Sequence, residues 1–256
     1  MAARAQTPRQ QIPRPAGALP GVPPPWSDLP QDRRRAITVD EVVRALAAGR
    51  PDRRLEAIEA AGRRVTPSEL PEGAGSGPAA VVCLLFDREG ETNVVLTRRS
   101  AHLRSHSGEV SFPGGRLQPD ERPLQAALRE ANEEIGIEAA AVEVIGHLTP
   151  LTRVRSPALV HCFVARFHSP LADRPAFVVN PGEVEMVFWV PLARLASDGV
   201  YHEELWPLPD RSGGAASGLT PYRAVPFFRL DEDIVWGATG RLLTELLGLV
   251  LARRMS

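Results

Sequence analysis

Lysine is absent from this 256-residue chain, and all 30 of its basic residues are arginine. That absence excludes Schiff-base lysine chemistry, the lysine of a phosphate-binding P-loop and a kinase-type nucleotide lysine. The accompanying wealth of alanine, arginine and proline is the mark of a GC-rich coding sequence. Cysteine is scarce: Cys83 and Cys162 sit inside apolar runs, which excludes a disulfide framework or zinc site and suits small buried side chains in a reducing compartment. A charge imbalance is missing too. The formal net charge of −1 leaves no bulk basic field to draw in nucleic acid or an anionic membrane. No apolar run approaches a membrane span, and Arg4, Arg9 and Arg14 precede no apolar secretory segment. The last four residues, Arg-Arg-Met-Ser, form no peroxisomal tripeptide. A soluble cytoplasmic protein is expected.

With 43% apolar residues, the chain is long enough for one domain with a sizeable core plus some extra chain. Eight of its 25 prolines fall in the first 30 residues, so 1–31 is expected to be a disordered or extended tail, dispensable for activity. Thr38-Val-Asp-Glu41 has the pattern of a helix capping box, and Val39, Val42, Val43 and Leu46 follow at helical spacing. This helix either caps the domain or mediates a homodimer. A second short helix is expected from about 52 to 61, and 71–78 reads as a linker, so 32–78 forms a short helical extension.

The pattern changes at Ala79. Runs at 79–86 and 93–97 flank the turn Asp87-Arg-Glu-Gly90 as a hairpin, and further strands are expected at 110–112, 142–148, 158–167 and 185–190. Leu124, Ala127, Leu128, Ala131 and Ile135 line one helix face ending at Gly136, and Leu242, Leu243, Leu246, Leu247 and Val250 line another within 239–252. A mixed sheet packed against two or more helices follows.

The chemistry concentrates in residues 115–137, GRLQPDERPLQAALREANEEIGI. Glu130, Glu133 and Glu134 stand at i, i+3 and i+4, so their carboxylates share one face, opposite the leucine stripe. Three like charges on one turn repel, and a hard divalent cation such as magnesium or manganese is what such an oxygen cluster suits. Glu130 and Glu134 are the first choices as ligands, with Glu133 sharing the cluster or polarising water. Glu121 falls at the helix entrance, where a carboxylate complements the macrodipole.

The spacing Gly115, Glu121, Arg129-Glu130, Glu133-Glu134, Gly136-Ile137 resembles the signature of the Nudix hydrolase family, and matches it at every fixed position. Upstream, Leu96-Thr-Arg-Arg-Ser-Ala-His-Leu-Arg-Ser-His-Ser-Gly-Glu-Val-Ser-Phe-Pro-Gly-Gly115 is similar to the extended motif of its coenzyme A pyrophosphohydrolase branch, with Glu109 where that branch usually has glutamine. Segments 180–191 and 234–240 also look like that branch, so the resemblance covers roughly 79–250.

The resemblance implies an α/β fold, the α+β Nudix fold, with a mixed β-sheet sandwiched between helices over 79–256. It implies metal-dependent hydrolysis of the diphosphate of coenzyme A or a derivative, giving 3′,5′-ADP and 4′-phosphopantetheine. Glu121 and Arg129 would form a structural pair, and the carbonyl near Gly115 would add a metal contact. Arg99, Arg104, His106 and Gly114 would meet the phosphates. Alternatively, Arg98, Arg99 and Arg104 lie on a solvated loop, an ordinary outcome in so arginine-rich a chain. The general base is either Glu133 or a loop glutamate, Glu183 or Glu185. Two other readings remain: a Nudix hydrolase of ADP-ribose, NADH or a nucleoside triphosphate, and a non-catalytic Nudix-fold binding module.

Overall fold

The computed structural model describes residues 10, 12–48, 77–101, 108–153, 156–168, 177–208 and 222–255. In chain order the elements are β1 (Leu19–Pro20), α1 (Val39–Ala48), β2 (Ala79–Arg88), β3 (Glu91–Arg99), β4 (Val110–Ser111), β5 (Gly114–Arg116) and α2 (Pro123–Ile135). There follow β6 (Val142–Arg153), β7 (Ser156–Phe167), β8 (Val184–Pro191), α3 (Leu192–Leu195), β9 (Tyr201–Pro207), β10 (Tyr222–Arg229), β11 (Ile234–Trp236) and α4 (Gly237–Met255). The helix expected near 52–61 and the linker up to residue 76 lie outside the described residues.

β2 is the spine of a seven-stranded mixed sheet. It runs parallel to β7 and antiparallel to β3 and β5, while β4 and β8 pair with β3, and β6 with β7. Successive strand residues point to opposite faces, and β2 is apolar on both. Ala80, Val82, Leu84 and Phe86 pack on the side of α2, whose Ala126, Ala127, Ala131 and Ile135 join the same cluster. Ala79, Cys83 and Leu85 face the other side, where Val39 and Val42 of α1 and the leucine stripe of α4 close a larger core. The fold is thus mixed α/β, its sheet sandwiched between helices. The α1 capping box is formed: the Glu41 amide donates to Thr38 Oγ1 at 3.3 Å, and the Thr38 amide to Glu41 Oε2 at 3.0 Å. Buried in the chain's own core, the apolar face of α1 caps the domain.

Two features depart from expectation. A second sheet, in the order β1-β9-β10-β11, has no counterpart among the expected strands. Its periodicity is broken by the charges of His202-Glu-Glu204 and by Pro226 inside β10, which cannot donate to the ladder. Also, the described part of 1–31 is ordered against the domain, not a disordered tail. Leu19 pairs with Leu205, Trp26 is 1% exposed with its ring edge-on to Tyr201 and stacked with Phe228, and Leu29 is buried. Composition misleads here because one large aromatic, pinned by an extended segment that borrows a sheet edge, offsets the low apolar density around it. Replacing Trp26 with alanine opens a cavity between β9, β10 and α4. It should lower unfolding free energy by about 3–5 kcal/mol in denaturant titrations, whereas a dispensable tail would give no change.

Candidate active site

The helix α2 begins with proline at its first position and ends where Gly136 adopts φ 71° as a left-handed cap. Its buried face is mostly alanine, so it settles close to β2 and β5 and brings its acidic side against the glycine pair. Gly114 has φ 146°, and a Cβ there would lie 2.4 Å from the carbonyl oxygen of Ala80. A Cβ on Gly115 would lie 2.3 Å from the carboxyl carbon of Glu130. The Gly114 amide donates to Glu134 Oε2 at 3.1 Å. Only a backbone without side chains admits the helix this closely.

Glu130 and Glu134 are joined by Glu183, and one carboxylate oxygen from each lies within 4.8 Å of the others. Glu183 comes from the turn before β8, which is fastened at several points. The Asn180 amide donates to the carbonyl of Glu134 at 3.0 Å, that of Glu183 to Asn180 at 3.1 Å, and that of Ser100 to Glu183 at 2.9 Å. Burial pushes the carboxyl of Glu134, only 2% exposed, up to about 7, and the charges of Glu130 and Glu183 add to this. The Gly114 amide and Arg99 oppose the rise. Glu130 is also raised, by burial first, against the Arg129 guanidinium. An all-oxygen set of mutually repelling carboxylates, beside backbone that a Cβ would block, fits a hard divalent cation.

Arg129 organises the rest. It donates to both oxygens of Glu121 at 2.8 and 3.1 Å, to Glu130 at 3.0 Å, to Glu133 at 2.8 Å and to the carbonyl of Arg116 at 3.1 Å. The Glu121–Arg129 pair is therefore present, and it holds Glu121 below the usual carboxylate range. Glu133 does not share the cluster as expected. Its side chain is 46% exposed and tied to Arg129, and Glu183 occupies the third place.

The arginines of β3 part company because neighbouring strand residues face opposite ways. Arg99, 29% exposed, lies 3.7 Å from Glu134 and lines the cleft. Arg98 is 1% exposed and forks onto Asp233 at 2.8 and 2.5 Å, with Glu185 at 3.6 Å. The solvated-loop alternative does not hold for Arg98, which ties the two sheets together. Glu185 faces that ion pair and stands outside the carboxylate group. Arg104 and His106 lie outside the described residues.

The carboxylates open into a cleft of about 990 Å³ whose floor is Gly114–Gly115. Its far wall belongs to the second sheet and the start of α4: Arg223, Val225, Trp236, Thr239 and Arg241. Sequence reasoning missed this wall. The segment 234–240 carried a family likeness, but nothing marked Arg223 or Arg241 among 30 arginines.

A hydrolase-type carboxylate helix on a mixed sheet defines the class, and comparison supplies the family. The NUDIX domain model matches residues 76–209, just over half of the chain, which therefore belongs to the Nudix family. The chain is 40% identical over 136 residues to the peroxisomal coenzyme A diphosphatase ndx-8 of Caenorhabditis elegans, covering 51% of this chain and 56% of that one. It is 36% identical over 173 residues to the uncharacterized Nudix hydrolase NudL of Escherichia coli K12, covering 65% and 80%. The chain spans about half the length of the C. elegans relatives it matches. Among solved structures, a Nudix hydrolase from M. smegmatis, RenU, aligns at 23% identity with a TM-score of 0.40, covering 47% of this chain and 73% of that one.

The raised Glu134 carboxyl has a measurable sign. Without divalent cations, the folded protein holds a proton there that the unfolded chain releases above the ordinary carboxylate range near 4.5. Stability therefore declines as pH rises from about 4.5 to about 7. In chelator, Glu134→Gln should remove a decline on the order of 3 kcal/mol, read from denaturation midpoints at pH 5 and pH 8. Equal slopes in both proteins would refute the assignment.

Proposed function

We propose that the protein hydrolyses the diphosphate bond of coenzyme A or its derivatives, using magnesium or manganese. The products are 3′,5′-ADP and 4′-phosphopantetheine or its acyl form. The observation that carries the reading is the meeting of Glu130, Glu134 and Glu183 beside the glycine floor of the cleft. The extended motif from Leu96 to Gly115, and the likeness to a relative named as a coenzyme A diphosphatase, favour coenzyme A over other nucleoside diphosphates.

In this reading Glu130, Glu134 and Glu183, with the carbonyl of Gly115, hold the cation. When bound, it neutralises charge on the diphosphate and lowers the pKa of water. Arg99, on the cleft wall beside Glu134, meets a phosphate oxygen with its guanidinium fork. Water attacks one phosphorus, the anhydride P–O bond breaks, and the water proton passes to a carboxylate. Glu183 is favoured over Glu133 as acceptor, because Glu183 lines the cleft while Glu133 is tied to Arg129 outside it. Arg129 acts by positioning, keeping Glu130 and Glu121 in place. Three like charges gathered in one cleft, that of Glu134 buried, would serve no purpose in a module that only binds its ligand. A cytoplasmic location belongs to the same proposal, supported by two free, buried cysteines.

Hydrolysis of coenzyme A in oxygen-18 water with magnesium or manganese, followed by mass analysis of both products, tests activity and attacked phosphorus together. One product should carry the label, and Glu183→Gln should lower kcat by about 100-fold or more. A higher kcat/KM for ADP-ribose than for coenzyme A would overturn the substrate assignment.

A further inference from the structure

Gln10 belongs to no element of the site, yet it is only 7% exposed and its carboxamide is used at both ends. Its Nε2 donates to the carbonyl of Gly108 at 2.7 Å, and its Oε1 accepts from the amide of Ile234 at 3.1 Å. Gly108 leads into β4 on the wall built by the first sheet, whereas Ile234 opens β11 on the wall built by the second. The geometry points to Gln10 as a positioning residue, which sets these two walls of the cleft against each other and holds Arg99 beside Glu134. This rests on the hydrolase reading and adds to it a part supplied from outside the matched NUDIX domain.

The path from Gln10 to the site is short. The amide of Gly108 donates to the carbonyl of Arg99 at 3.2 Å, and the amide of Arg99 to the carbonyl of Glu109 at 3.0 Å. The end of β3 that carries Arg99 is therefore bonded to the residue that Gln10 grips. On the other side, Trp236 lies two residues beyond Ile234 in the same apolar cluster, and it lines the cleft together with Glu109, Val110 and Ser111. The bridge stands one residue along from the buried ion pair: Arg98 reaches Asp233, and the partner of Arg99 reaches Ile234 through Gln10. Two adjacent ties resist sliding of the walls as well as their parting, which a single tie would not. A buried carboxamide is costly unless hydrogen-bonded, and here backbone from two different sheets satisfies it. The segment that follows is anchored independently. Ile12 and Ala18 pack with Trp206 and Phe227, Arg14 Nε donates to Glu204 at 2.8 Å, and Leu19 pairs with Leu205. Loss of the Gln10 side chain thus removes the bridge without releasing the segment.

Steady-state hydrolysis of coenzyme A by the full chain tests this with Gln10→Ala and Gln10→Glu, at a temperature where melting curves show each variant folded. Gln10→Ala should lower kcat/KM about 10-fold, mainly through KM, because Arg99 is less well placed for the substrate phosphate. Gln10→Glu keeps the shape and the acceptor for Ile234 but turns a carboxylate towards the Gly108 carbonyl, and protonation restores a donor there. Its kcat/KM relative to wild type should therefore climb as pH falls from about 8 to about 5.5, a response that a role in stability alone would not give. Hydrogen exchange read by mass spectrometry is independent of turnover: peptides covering 108–112 and 232–236 should both exchange faster in Gln10→Ala. If coenzyme A is not hydrolysed, that joint acceleration supports the bridge while the hydrolase reading fails, and without it both fail. If coenzyme A is hydrolysed but both variants keep the wild-type KM, or the two peptides are unaffected, the positioning role is overturned and the hydrolase reading stands.

Discussion

The Gly114 amide meets Glu134 at 3.1 Å, and the Gly115 backbone leaves no room for a Cβ beside Glu130. This approach of an acidic helix to bare backbone is the constraint from which the site follows. It needs glycine on the strand and small residues on the helix, and Ala126, Ala127 and Ala131 meet the second need. A larger side chain on either surface would lift α2 from the sheet and disperse the carboxylates into solvent, where repulsion would hold them apart. Close packing instead buries Glu134 and concentrates charge, so the folded protein stores an electrostatic demand for a cation.

That demand is contained by the scaffold around it. Arg129 distributes one guanidinium over Glu121, Glu130 and Glu133, offsetting part of the repulsion without entering the triad. The turn carrying Glu183 is fastened to the end of α2 through Asn180 and to the end of β3 through Ser100. The backbone that carries the third carboxylate is therefore placed by hydrogen bonds to both elements. The Arg98–Asp233 pair performs a comparable task on a larger scale, linking β3 to the approach of β11 and so setting the two walls of the cleft against each other. Removing one partner of such a pair strands a buried charge, so losing either residue costs more than the pair itself contributes.

What was legible in the sequence was local. The α1 capping box, the β2–β3 hairpin, the face of α2 and the stripe of α4 all follow from periodicities within a dozen or so residues. The grouping of Glu130 with Glu134 was legible for the same reason, since one helix carries both, whereas the pair Glu121–Arg129 was implied by the family resemblance. Glu183 was visible only as a loop candidate, because its placement depends on Asn180 bonding to the carbonyl of Glu134, far back in the chain. The second sheet and the ordering of Trp26 were illegible. Leu19 pairs with Leu205 across most of the chain, and no window of sequence contains both partners. Proline-rich composition measures how poorly a segment folds alone and does not register a sheet edge waiting elsewhere.

The missing lysine takes on structural meaning in this light. Arg129 makes contacts with three carboxylates and a backbone carbonyl from one planar group, and Arg98 grips both oxygens of Asp233 in parallel. An ammonium is a compact point charge and cannot reproduce either geometry. The Arg223 guanidinium lies over the Trp206 indole, 5.5 Å from its centroid, again a contact that suits the planar group. Codon composition accounts for a chain rich in arginine, but it does not account for forks placed where their flatness matters. The cleft sets acids on one wall and arginines on the other in a chain whose net charge is only −1. With so small a net charge, long-range attraction is small, and the electrostatics of the cleft are set by where its charges stand.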